Sequence, residues 1–333
     1  MKQPKLLIIG VLALSTLFGC KEKTQEQIPA ESSEIQPKMA RLEYEIQAQL
    51  GEGAYWDTPT QRFYWVDILG KQLHIYDPAT KKNTSFTTPS RIGTVVPQTD
   101  STAVVALDDG IYILNTNTGA IAVLSDVEKD ANWNRFNDGK CDPMGNLWVG
   151  SMNLEEKAPS GNVYKIDPLG NTSKMIDSVT ISNGLVWTKD RRTFYYIDTP
   201  TAMIRAYDYD PETASIANRR DAVYVDPAIG YPDGMTIDEE DKLWVGLWNG
   251  NMVARFDPIN GKLIDSILVP EAHNITACAF GGPDLDMLYI TTARKDMTED
   301  ELKEKPLSGS LFVAEPGVKG VPSARFALPS ADE

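Results

Sequence analysis

Histidine and cysteine are scarce in this chain of 333 residues, with two of the first and three of the second. Neither His74 nor His273 stands in an HExxH or comparable pattern, so a histidine-built metal centre is excluded. With Cys20 ahead of the folded body, Cys141 and Cys278 allow at most one bridge within it, and two buried free thiols are the expected state. Bases are outnumbered by acids, 32 to 47, and the formal charge of −15 offers no basic face to nucleic acid. A GxSxG elbow is absent, and Gly51-Glu52-Gly53 lacks the third glycine and βαβ context of a dinucleotide fingerprint. Serine-hydrolase and NAD chemistry are thereby set aside. No stretch supports a long amphipathic helix, and the apolar run from Leu6 to Phe18 is too short for an ordinary bilayer-crossing helix.

The run belongs to MKQPKLLIIGVLALSTLFGC, whose ending Leu17-Phe18-Gly19-Cys20 resembles the lipobox of bacterial lipoproteins. That resemblance implies a signal peptide over 1–19 and a lipid on Cys20. The expected location is the cell envelope, with the membrane touched only through this anchor. Lys21, in place of aspartate after the cysteine, directs the expectation to the outer membrane and periplasm. Residues 20–42 are polar, poor in aromatics and without a sustained apolar period, which predicts a flexible tether.

The remaining chain, 43–333, repeats. FYWVD at 63–67, AVVAL at 103–107, LWVGS at 147–151, FYYID at 194–198, LWVGL at 243–247 and LYITT at 288–292 recur roughly every 40 to 50 residues, the range of propeller blades. A second run follows each, as in LHIYDP at 73–78, VYKIDP at 163–168 and VARFDP at 253–258. Six strand pairs bounded by Gly, Pro, Asn and Asp predict an all-β fold, a single six-bladed β-propeller.

Residues at one phase of such a repeat meet at one mouth of the central channel. Counting back ten or eleven residues from Phe63, Leu147, Phe194 and Leu243 reaches Glu52, Asn137, Asn183 and Asp233. Glycine follows at once in three of these and one residue later, after Asp138, in the other. Asn-Gly and Asp-Gly are common turn pairs, but four in-phase oxygen-bearing side chains point beyond turn chemistry. Two carboxylates and amide oxygens form a hard donor set suited to one divalent cation, Ca²⁺ first, with Mg²⁺, Mn²⁺ or Zn²⁺ as alternatives. Trp65, Trp148 and Trp244 recur at blade phase and are expected to pack between sheets.

LGEGAYWD at 50–57, RFNDGKCDPMGNLWVGSM at 135–152, ISNGLVWTKDRRTFYYID at 181–198, PDGMTIDEEDKLWVG at 232–246 and CAFGGPDLDMLYITTAR at 278–294 resemble successive signatures of the SMP-30/gluconolactonase/regucalcin family. The resemblance implies a six-bladed propeller with one divalent ion at the channel mouth, held by Glu52, Asn183 and Asp233. It makes Arg135 and Asn137 substrate contacts, with Glu156 a further one, or Glu155 given an apparent one-residue insertion after Met152. The implied activity is hydrolysis of a small sugar lactone by a monomer, the cation polarising the carbonyl and Asp233, or a metal hydroxide, activating water. Two alternatives stand beside it: hydrolysis of another ester or a phosphotriester, and a non-catalytic Ca²⁺-binding module.

Overall fold

β-Branched and aromatic runs separated by turn residues favour twisted antiparallel sheets. The computed structural model describes residues 38–329 and arranges them around six sheets. The expected signal peptide, Cys20 and the tether to residue 37 lie outside the described residues. Blade one runs from strand Gly51–Asp57 to Lys82–Thr87, blade two from Ile92–Thr99 to Ile121–Ser125, and blade three from Asn134–Cys141 to Thr172–Val179. Blade four runs from Ser182–Trp187 to Ser215–Tyr224, blade five from Tyr231–Ile237 to Lys262–Leu268, and blade six begins with Asn274–Gly281. These first strands are innermost: each packs against the first strand of the next blade, and blade six returns to blade one. The fold is therefore the expected six-bladed β-propeller. The runs from FYWVD to LYITT are the second strands of their blades.

Blade six has only three strands from its own stretch, and Arg41–Tyr44 supplies the fourth. It lies antiparallel to Leu311–Ala314, with Arg41 opposite Val313. Lys38–Met39 adds a parallel fifth strand outside blade five. Residues 38–42 thus extend the propeller into the stretch read as tether. A four-residue strand, Arg-Leu-Glu-Tyr, carries too little pattern to announce itself; the open edge that it completes decides its conformation.

Between the sheets, Trp65, Trp148 and Trp244 are buried to within 1% of complete burial, as their phase predicts. The indole of Trp148 donates to Asp142 Oδ2 at 2.8 Å, and that of Trp244 to Asp238 Oδ2 at 3.0 Å. Oδ1 of Asp142 accepts from the backbone of Met144 and Asn146 in the adjoining hairpin, so one carboxylate ties the turn to the core. Removing such a tryptophan would cost about 3–5 kcal/mol. Cys141 and Cys278 are buried and unbridged.

Candidate active site at the channel mouth

Each inner strand breaks register with its neighbour near its start. The irregularities follow Glu52, Ile92, Phe136, Asn183, Pro232 and Ile275, one in each blade. A β-bulge bends the strand and re-aims a side chain, so bulges at one phase in a ring turn several side chains to a common point. The Asn-Gly and Asp-Gly pairs are therefore not hairpin turns but lie inside strands Ser182–Trp187 and Tyr231–Ile237. Glycine is needed there for packing: a Cβ on Gly234 would stand 2.6 Å from that of Ala277 in the next blade.

Glu52, Arg135, Asn137, Asn183 and Asp233 all line one cavity of about 300 Å³ and are each 7% exposed or less. Glu156 also lines it, whereas Glu155 is exposed, its backbone N–H donating to Asn153. A relay of hydrogen bonds fixes the amides. Arg135 Nη1 donates to Asn137 Oδ1 at 2.6 Å, and Asn137 Nδ2 donates to Asn183 Oδ1 at 2.9 Å and to Ser182 O at 2.7 Å. Asn183 Nδ2 donates to Thr199 Oγ1 at 2.7 Å, and that hydroxyl donates to Pro232 O at 2.8 Å. The relay orients Asn183 with its oxygen toward Asn137, leaving that oxygen a second lone pair.

The carboxylates are held differently. Burial, reinforced by the nearby charge of Asp138, pushes Glu52 up to about 8. Asp233 is driven well above the usual range by burial first, then by Glu52 and Asp138. Its Oδ1 is buried and has no hydrogen-bond partner. Two acids crowded together with an unpartnered oxygen are costly unless a proton or a cation joins them. Among the described residues no three acids, histidines or cysteines cluster, so a cation would draw on two carboxylates and an amide oxygen. The orphaned oxygen and the hard donor chemistry fit a divalent ion held by Glu52, Asn183 and Asp233.

Lys295 and Trp248 escaped the sequence reading. Both line the cavity, with the Lys295 ammonium 5.4 Å from the Trp248 ring centre and 3.1 Å from Glu156 Oε1. They stand at or just past the ends of second strands Leu243–Trp248 and Met287–Ala293, a different phase from the bulges. The signal available was positional: second strands end at the mouth where inner strands begin.

The family described as "SMP-30/Gluconolactonase/LRE-like region" matches residues 50–294. The chain is 41% identical over 288 residues, 86% of its length and 98% of the other's, to the Bacillus subtilis (strain 168) protein named "Putative sugar lactone lactonase YvrE". It is 37% identical over 285 residues to regucalcin of Xenopus laevis, covering 84% of this chain and 95% of that one. Among solved structures, a regucalcin of Agrobacterium tumefaciens described as calcium-binding superposes with a TM-score of 0.84 at 28% identity, over 88% of this chain and 98% of that one.

Proposed function

Since the chain belongs to the SMP-30/gluconolactonase/LRE-like family, we propose that it is a metal-dependent hydrolase opening sugar lactones to aldonic acids. The observation that carries this reading is the pairing of Glu52 with an Asp233 whose Oδ1 lacks any partner, inside a cavity that also presents Arg135. Glu52, Asn183 and Asp233 would hold a hard divalent cation, Ca²⁺ by donor chemistry, with Mg²⁺, Mn²⁺ or Zn²⁺ as alternatives. Such a cation, when bound, polarises the lactone carbonyl and stabilises the oxyanion.

The chain's own groups do the rest. Arg135, its Nη1 committed to Asn137 Oδ1 and Phe136 O, keeps its other guanidinium N–H groups for the substrate's oxygens, and Asn137, whose amide N–H groups go to Asn183 and Ser182, holds it there; orientation of this kind lowers the barrier without entering the chemistry. Asp233 takes the proton from the attacking water. It returns that proton to the ring oxygen as the acyl–oxygen bond breaks, giving a hydroxy acid. Proton transfer of this kind contributes about 10²–10⁴-fold. Each chain carries a complete cavity, consistent with action as a monomer on a small molecule.

The test is a lactone panel followed by acid release, with protein stripped by a chelator and refilled with single metals. Activity lost on stripping and restored by one cation, while the far-UV spectrum stays native, is the expected result. A stripped protein of undiminished activity would overturn the reading. Leu17-Phe18-Gly19-Cys20 supports the further proposal that Cys20 carries the lipid anchoring the propeller in the cell envelope, at the outer membrane and periplasm. Mass spectrometry of membrane-derived protein should find a diacylglyceryl group on Cys20, and an unmodified mature N-terminus would refute it.

A further inference from the structure

Glu156 follows the second strand of blade three, Leu147–Asn153, and Lys295 follows that of blade six, Met287–Ala293. In a six-membered ring these blades face each other, so the ion pair spans the mouth of the cavity instead of decorating one side. Its two ends are built in different ways. The Lys295 backbone is pinned on both sides: its N–H donates to Gln49 O at 2.9 Å, and its carbonyl accepts from Asn274 Nδ2 at 2.9 Å. The ammonium leans on the face of Trp248, a contact that holds a cation without consuming its N–H donors. Glu156 sits in a surface loop at φ 59°, a left-handed conformation unusual for glutamate.

We propose that Lys295 is a specificity-determining residue of this pocket, donating its remaining hydrogen bond to a distal hydroxyl of the substrate and confining the site to hydroxylated lactones. This rests on the lactonase reading and adds to it the residue that selects hydroxylated over apolar lactones. An ammonium has three donors in tetrahedral array; Glu156 and Asp296 engage two of them, and the Lys295 side chain remains 21% exposed on the cavity wall. The two carboxylates outweigh the single ammonium, so the roof of the pocket is polar and carries no surplus positive charge for an anionic tail. A hydroxylated ring and its hydroxymethyl exchange their water for Lys295 and Glu156. An alkyl tail would strip water from both charges and return nothing.

The experiment compares glucono-δ-lactone with δ-decalactone, which has a six-membered lactone ring without hydroxyls and an apolar tail, in the metal-loaded wild type and in Lys295→Met and Lys295→Arg. Lys295→Met keeps the length and the contact with Trp248 and leaves Glu156 in solvent, so folding is preserved. Loss of a charge-assisted hydrogen bond to bound substrate should raise KM for gluconolactone about tenfold with kcat within about threefold. KM for δ-decalactone should hold or fall, and Lys295→Arg should keep most of the gluconolactone preference. An equal change in KM for both lactones overturns the proposal, as does a fall in kcat alone. Calorimetry of gluconate binding separates this from the function itself. If the wild type opens neither lactone, the lactonase reading fails. A gluconate affinity that drops at least about fivefold in Lys295→Met then upholds the recognition role, while unchanged affinity, or no binding by the wild type, overturns it.

Discussion

Six bulges share one phase, yet they do different things. In blades one, three, four and five the bulge aims Glu52, Asn137, Asn183 and Asp233 at the cavity. In blades two and six the same position holds Gly93 and Thr276, neither of which lines it. Gly93 provides room: a Cβ there would lie 2.6 Å from the carbonyl of Phe136 and 2.8 Å from Asn137 O, all backbone. Thr276 provides register, its hydroxyl donating to Gly51 O at 2.5 Å, one residue before Glu52. Four blades send a polar side chain into the cavity and two fix the spacing of their neighbours, so a repeated backbone irregularity lines the pocket or sets its geometry according to the side chain it carries.

That division can be broken from either side. Asp233→Asn removes a carboxylate and the proposed proton acceptor while keeping the bulge, and turnover should fall about 10²–10⁴-fold with the thermal midpoint nearly unchanged. A midpoint that collapses instead would make Asp233 a structural residue. Gly93→Ala should act through space alone. Forcing a methyl against two carbonyls should cost about 1–3 kcal/mol in denaturant unfolding. Displacing Asn137 should also slow turnover about ten- to a hundredfold.

The third test uses pH. The folded state holds Glu52 at about 8, above its ordinary 4.5, and Asp233 is raised as well. Groups raised on folding contribute stability that is present below the unfolded pKa and is lost as pH rises through the folded one. Cation-free protein should therefore melt higher at pH 5 than at pH 8, and saturating Ca²⁺ should remove most of the difference; a flat profile without metal would contradict the crowding of these acids. The smallest effect belongs to Thr276→Val, which leaves Gly51 O unpaired at a cost of about 1–2 kcal/mol, with turnover within about twofold. A large loss of turnover at full stability would place blade six among the chemical blades.

The sequence revealed which polar side chains share one phase because the second strands are strongly patterned and the inner residues stand at a fixed distance before them. What it concealed is equally physical. An Asn-Gly pair carries the same letters in a turn and in a bulge, and only the neighbouring blade, Ala277 against Gly234, decides between them. Lys295 was hidden because it stands in a charged surface stretch, Arg294-Lys295-Asp296, where its contact with Glu156 links positions 139 residues apart. The extra strands at 38–44 were illegible for a related cause: their partners, Ile267 and Val313, lie at the far end of the chain.

That seam orders the events of synthesis. Arg41 is made early, and its partner Val313 only as the chain nears completion. Until then blade six lacks its outer strand, and its exposed edge offers hydrogen bonds to any extended segment nearby. Closure joins residues of very large sequence separation, the kind of contact that forms slowly. A chain that folds as it is made would hold its finished blades in an open arc until Leu311–Ala314 can pair with Arg41–Tyr44. Adding or removing a few residues near position 41 should change the yield of folded protein more than the same edit at a hairpin tip, because only the first acts on the step that shuts the ring.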